Sequence, residues 1–314
     1  MWSVEPYNPS MAREWDAFVG ASKNGTFLLT RPYMDYHADR FPDRSLVIRH
    51  TDRRIAALLP ATVGGPGVIS SHAGLTYGGF VMSGDTRAQH PMEWLDAIRP
   101  HLAARGASTL VYKAIPTIYH RMPAQEDIYA MFRAGAQMSV CNLASVVPLP
   151  EGAQRRLMRR AALRMERHSI TVHRAADPAE FWQIIVDDRR TRHDTSPVHT
   201  LAEIRLLASR FPRNILLLTA RRRGHTIAGA VVYLMPESGV IHLQYAAANA
   251  EGFHIYAVDA IYHTLVTDLC PGYRWFDFGT SNEQGGRRLN TGMTAHKEEF
   301  GGRSIVYPQF TVTI

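Results

Sequence analysis

The chain repeats a local pattern at an offset of about 170 residues, and this limits its possible architecture more than any other feature. Arg40-Phe41-Pro42 leads into Ser45-Leu46-Val47-Ile48, a turn Asp52-Arg53-Arg54, and Ile55-Ala56-Ala57-Leu58-Leu59. Arg210-Phe211-Pro212 leads into Ile215-Leu216-Leu217-Leu218, a turn Arg221-Arg222-Arg223-Gly224, and Ile227-Ala228-Gly229-Ala230. Two short apolar runs around a polar turn read as a β-hairpin in each half. The first hairpin is followed by a run through Gly67-Val68-Ile69, a helical stretch over 91–104, and the strand Ser108-Thr109-Leu110-Val111-Tyr112. The second is followed by Val240-Ile241-His242-Leu243-Gln244-Tyr245, a helical stretch over 255–269, and Arg274-Trp275-Phe276-Asp277-Phe278. Both halves therefore read hairpin, strand, helix, strand, which is the order of a duplicated α/β domain.

A length of 314 residues suits two domains, each large enough to bury its own core. Hydrophobic residues at 46% and charged residues at 20% exclude disorder for the bulk of the chain. Cys141 and Cys270 are too few for a disulfide framework or a four-thiolate zinc site, and both read as inert packing residues. No apolar run is long enough to span a bilayer. The first twenty residues carry Glu5, Arg13, Glu14 and Asp16 rather than a signal-peptide core, so a soluble, cytoplasmic protein is expected. The formal charge of +7 is concentrated. Residues 155–174 hold seven arginines against one acid, Glu166, and arginines interrupt the apolar positions Leu157, Ala161, Leu163 and Met165 on most faces. This segment reads as an exposed basic helix at 151–174, linking domains at 1–150 and 175–314.

Chemistry-bearing residues gather in three places. The strand ending at Phe278 delivers Gly279-Thr280-Ser281-Asn282-Glu283 into a glycine-flanked loop. Such loops at strand ends are where ligands sit in α/β folds, which makes Glu283 a candidate general base. Beyond it, Asn290, Met293, Lys297 and Phe300 share one face of a short helix, and Lys297 is suited to a phosphate or a developing oxyanion, or to pairing with Asp277. In the first half, His72, Tyr77 and Gly78 lie in a stretch rich in glycine and hydroxyls and are expected to wall a cleft between the halves. His199 closes a polar loop whose His-x5-His spacing lacks a third ligand, so no metal is expected. Substrate-binding candidates are Tyr77, Gly78, His199, Asn282 and Asn290. A Walker loop, a nucleophile elbow and a HExxH helix are all missing from the sequence, which leaves direct transfer between two bound substrates.

Phe276-Asp277-Phe278-Gly279-Thr280-Ser281-Asn282-Glu283, the later Lys297-Glu298-Glu299-Phe300-Gly301-Gly302 and the earlier Ser71-His72-Ala73-Gly74-Leu75-Thr76-Tyr77-Gly78-Gly79-Phe80 carry a family resemblance. With them the chain resembles the GNAT superfamily of N-acetyltransferases, and within it the tandem-domain, Fem-type, acetyltransferase-6 branch. The resemblance implies two tandem α/β domains, each a mixed central sheet flanked by helices, with a cleft between them. The loops of the second half are richer in convergent polar residues, so that domain is expected to be catalytic and the first to complete the acceptor pocket. The resemblance further implies acyl transfer from acyl-CoA to an amine by direct attack, most like enzymes acylating nucleotide-linked amino sugars of surface polysaccharides. In such enzymes a helix N-terminus holds the coenzyme A pyrophosphate, which would here involve Tyr245, Ala247, Asn249, Gly252, Phe253 and His254. Of the superfamily's usual glycine pattern Gly252 alone remains, and Glu251 stands beside it. Glu283, with His72, would take the amine proton. Backbone N–H groups around 245–247 would steady the oxyanion. Two other readings share the residues. One is an aminoacyl-tRNA-dependent Fem-type peptidyltransferase docking RNA phosphates on the basic helix, and the other is a non-catalytic module for an anionic polymer or membrane surface.

Overall fold

A computed structural model describes residues 2–149, 155–193, 195–269 and 271–314 of the chain. The first half runs β1 (Ser3–Pro6), α1 (Ala12–Ala21), α2 (Arg31–Met34), β2 (Leu46–Arg49), β3 (Ile55–Leu59), β4 (Thr62–Gly65) and β5 (Val68–Ser70). It continues with β6 (Val81–Met82), α3 (His90–Ala103), β7 (Thr109–Lys113), α4 (Glu126–Arg133) and β8 (Gln137–Pro148). The second half runs α5 (Arg155–His168), β9 (Ile170–Arg174), α6 (Ala179–His193), α7 (Leu201–Arg210), β10 (Ile215–Arg222), β11 (His225–Met235) and β12 (Val240–Ala248). Then come α8 (Ala250–His254), α9 (Ala257–Thr264), β13 (Trp275–Thr280), β14 (Asn282–Glu283), β15 (Arg288–Leu289), α10 (Thr291–Glu299) and β16 (Arg303–Thr313). Both expected hairpins form, as β2–β3 and β10–β11, and in each half a strand, a helix and a further strand follow in the expected order.

The polypeptide divides into two compact units that are not continuous in sequence. One comprises Met1–Leu143, Asn282–Leu289 and Val306–Ile314, and the other Ala144–Ser281 with Asn290–Ile305. Each completes its sheet with a strand from far along the chain. In the N-terminal unit β7 pairs antiparallel with the last strand, from Gln309 opposite Lys113 to Thr313 opposite Thr109. In the C-terminal unit β13 pairs antiparallel with the end of β8, with Trp275 opposite Pro148 and Asp277 opposite Val146.

Amphipathic spacing builds both cores. Trp94, Leu95, Ile98 and Leu102 form one stripe of α3 and pack with Leu46, Leu59, Leu110 and Phe310. In the C-terminal unit Ala257, Ala260 and Ile261 of α9 meet Leu218, Val232, Ile241 and Phe276. A capping box starts α7, Thr200 accepting from the Glu203 N–H while Glu203 accepts from the Thr200 N–H. No described helix is long and apolar enough to cross a membrane.

The basic helix departs from expectation. Leu157, Met158 and Met165 pack against the C-terminal core, and Ala161 is only 1% exposed. Spacing of i, i+4, i+8 puts 157, 161 and 165 on one face, so α5 is a packed amphipathic helix of this unit, with Arg159, Arg160 and Arg167 outward. Arg164 joins the packing by donating to Asp259 Oδ2 at 2.8 Å, with its guanidinium carbon 3.9 Å from the Tyr256 ring centroid. Cys141 is exposed rather than packed. Cys270 and residues 150–154 lie outside the described residues.

At Gly229 of β11 a Cβ would lie 2.2 Å from Phe181 Cγ, with Phe181 fully buried. Gly229→Ala is expected to destabilise the protein by about 1–3 kcal/mol through overpacking. Urea unfolding monitored by tryptophan fluorescence should show the lowered midpoint.

Candidate active site

In the C-terminal unit β12 and β13 run parallel but stay paired for only three positions, Val240 with Trp275, Ile241 with Phe276, and His242 with Asp277. Beyond them β12 continues through residues 243–248 and β13 through 278–280. A register shift on β12, where Leu243 faces Val232 and Tyr245 faces Val231, inserts Gln244 as a bulge. The two strands therefore separate into a wedge whose inner backbone groups have left the ladder.

Polar side chains collect at the apex of this wedge. Asp277 is fully buried, and its Oδ2 lies 2.7 Å from His242 Nδ1 while its Oδ1 accepts the Gly279 N–H at 2.7 Å. Lys297 of α10 donates to the carbonyls of Gly279 at 3.0 Å and Thr280 at 3.1 Å, fixing the strand end. Burial pulls the Lys297 amine down to about 8, partly opposed by the nearby Asp277 charge. Ser281 Oγ is buried with no hydrogen-bond partner among the described residues. Tyr245 and His199 also meet, Tyr245 Oη lying 2.8 Å from His199 Nδ1 with Trp182 edge-on at 5.5 Å. Burial raises the Tyr245 hydroxyl above its ordinary range.

His242 and Tyr245 share one face of the sheet. Their β11 partners, Tyr233 and Val231, are two residues apart and so point the same way. The bulge at Gln244 is what lets two residues three positions apart do this.

The segment read as a pyrophosphate cradle is a single helical turn. Asn249 caps it by accepting the Gly252 N–H at 2.8 Å, and Glu251 is paired with Arg222 at 2.7 Å. Gly252 is required because a Cβ would lie 2.2 Å from the Ile227 carbonyl. Ala247 is buried opposite Gly229, whereas Phe253 and His254 face solvent.

The remaining sequence-predicted residues fall elsewhere. Glu283 and Asn282 belong to the N-terminal unit, where β14 pairs with β15. Glu283 is exposed, 3.6 Å from Arg288, and Asn282 accepts the Leu143 N–H. Asn290 caps α10 by accepting the Met293 N–H at 3.0 Å, so of the four residues expected to share a helical face only Lys297 and Phe300 are buried.

His72 is 2% exposed with φ +63°, and burial, with the neighbouring His37 second, lowers it to about 3. Tyr77 Oη lies 3.0 Å from Thr26 Oγ1, and Gly78 packs so tightly that a Cβ would lie 2.0 Å from the Ser71 carbonyl.

His72 and Gly78 close the end of a second parallel pair. β5 and β7 also stay paired for three positions, and there the following chain fills the gap. The Gly78 N–H donates to Lys113 O at 2.8 Å, and the Lys113 N–H donates to Ser71 Oγ at 2.6 Å. Lys113 Nζ donates to His72 O at 3.3 Å and also to Leu75 O.

Sequence reasoning missed His242. The only local signal was a polar residue in a mostly apolar strand, and its link to Asp277 rests on a strand register that the sequence does not display.

Residues 152–287 match the family model described as acetyltransferase (GNAT) domain, so the chain carries an acyltransferase domain. Among solved structures the chain is similar to FemX at 12% identity, with TM-score 0.72, covering 99% of this chain and 97% of that one. It is also similar to the C-terminal domain of a putative lysylphosphatidylglycerol synthetase from Agrobacterium fabrum, at 12% identity and TM-score 0.61, covering 98% and 92%. A tandem GNAT protein from the clavulanic acid biosynthesis pathway aligns at 12% identity and TM-score 0.53, covering 100% and 98%. Compared with curated proteins by sequence, the chain matches none. The fold is that of tandem GNAT proteins.

With its affinity for protons depressed, His72 favours the folded state in its neutral form. Stability should be lost as pH falls through 6.5 toward about 3, because the unfolded chain binds that proton first. His72→Asn, which tolerates the positive φ, should flatten this slope by about 1.4 kcal/mol per pH unit. Urea midpoints measured across that range provide the check.

Proposed function

We propose that the chain transfers an acyl group from an acyl-CoA thioester to the amine of a sugar, with the donor seated in the β12–β13 wedge of the C-terminal unit. The observation that carries this reading is the early end of the β12–β13 pairing, inside the residues that match the acetyltransferase domain. Backbone groups released from a ladder seek new partners, and a pantetheine amide presents the donors and acceptors of a strand. In this reading the neutral amine attacks the acyl carbon, and a β12 N–H near the bulge steadies the oxyanion. Collapse of the tetrahedral intermediate then breaks the C–S bond and releases coenzyme A as its thiolate. A nucleotide-linked amino sugar is the acceptor class suggested by the sequence resemblance, and the closed end of the β5–β7 pair supports a single donor site per chain.

A second reading has its own observation. Asn249 already occupies the Gly252 N–H, and Glu251 brings an acid to the turn where a pyrophosphate would bind. Both features favour a donor without that group, as in transfer from aminoacyl-tRNA.

Calorimetric titration with acetyl-CoA at ~0.15 M salt separates the two readings, because purely electrostatic association is screened there. Saturable binding at one site per chain is expected. Failure to bind at millimolar donor would reject the acyl-CoA reading in favour of the tRNA one, whose RNA affinity should fall steeply with added salt.

A further inference from the structure

We propose that His242, oriented by Asp277, is the proton acceptor of the transfer reaction. This rests on an acyl thioester binding in the β12–β13 wedge.

The two ends of the dyad differ in access. The Asp277 side chain has no exposed surface, while His242 keeps 11% of its own open. The carboxylate is held by the Gly279 N–H as well as by the imidazole, and it lies within the field of the Lys297 amine. With Asp277 ionised, its oxygen can only accept, so Nδ1 would donate to it and Nε2 would carry the lone pair. Gly279, at φ +71°, lies along that edge of the ring. It lacks a side chain, and a Cβ there would stand 3.7 Å from His242 Cε1.

Position supports the same assignment. His242 and Asp277 form the last paired rung before the strands part, so the imidazole stands where the wedge opens. Other ionisable or polar groups near it among the described residues include Tyr233 on β11, Lys297 on α10, and the Tyr245–His199 pair on the same face of β12. Lys297 is bonded to two carbonyls. Tyr245 is shared with His199.

The proposed step is balanced. As the amine nitrogen bonds to the acyl carbon, its N–H proton passes to His242 Nε2, giving an imidazolium beside the Asp277 carboxylate. When the C–S bond breaks, the electron pair leaves on sulfur. The imidazolium then returns its proton to the thiolate or to water, which restores the dyad.

The test uses the full chain with acetyl-CoA as donor and millimolar D-glucosamine as acceptor, following thiol release from pH 5 to 9. Donor affinity is measured in parallel by calorimetry. His242→Gln should lower kcat at least ~100-fold with donor Kd unchanged, and should remove the acid limb of the kcat/KM profile. Asp277→Asn should lower kcat and move that limb to lower pH. Glu283→Gln should leave both rate and limb in place. Full activity with an unchanged acid limb in His242→Gln would overturn the proposal while leaving donor binding intact. An acid limb lost in Glu283→Gln would overturn it in favour of that carboxylate. Absence of donor binding to the unmodified chain would instead remove the acyl-CoA reading and the dyad's role with it.

Discussion

A parallel strand pair normally propagates until one strand runs out, because each added rung satisfies another backbone donor and acceptor. In the C-terminal unit the β12–β13 pair stops after His242 and Asp277 although both strands continue. Around this early stop the neighbouring residues become interpretable. The bulge at Gln244 turns β12 so that His242 and Tyr245 face the same way. Asp277 needs a buried position to hold an imidazole, and the last rung supplies it. The strand end beyond would be loose without Lys297, which grips the carbonyls of Gly279 and Thr280. Side chains of α9 and α5 pack on the opposite face of the sheet.

The N-terminal unit also holds a parallel pair three positions long, but there β5 itself ends at the last rung. The chain leaving β5 folds back on Lys113, whose backbone N–H and carbonyl are taken by Ser71 and Gly78 while its amine donates to the carbonyls of His72 and Leu75. Close packing there allows no side chain at Gly78. The end of the N-terminal pair is thus closed by its own sequence.

Much of the framework was legible in the sequence. The repeated Arg-Phe-Pro, the hairpins and the order of later elements all depend on local periodicity, which a linear reading captures. What escaped depends on pairing between distant segments. Nothing local shows that β16 completes the N-terminal sheet or that β8 joins β13. The basic helix looked exposed because arginine density masked an i, i+4, i+8 stripe ending on the core. His72 and Glu283 drew attention by residue type, yet one is sealed against His37 and the other sits in a solvent-facing two-strand ladder. His242 drew none, since a single imidazole in a strand gains meaning only from the residue across the rung.

The chain's three lysines have a consequence of their own. Lys23 is paired with Glu126 at 2.6 Å, Lys113 is tied to the carbonyls of a loop, and Lys297 to those of a strand end. Arginine supplies the remaining 32 of the 35 basic residues, and a guanidinium stays protonated and unreactive toward acyl groups. An activated acyl group reaching this surface therefore finds no unengaged lysine amine on which to be lost. The same scarcity makes the protein a poor target for amine-directed labels and cross-linkers, and leaves protein lysine acetylation little to act on.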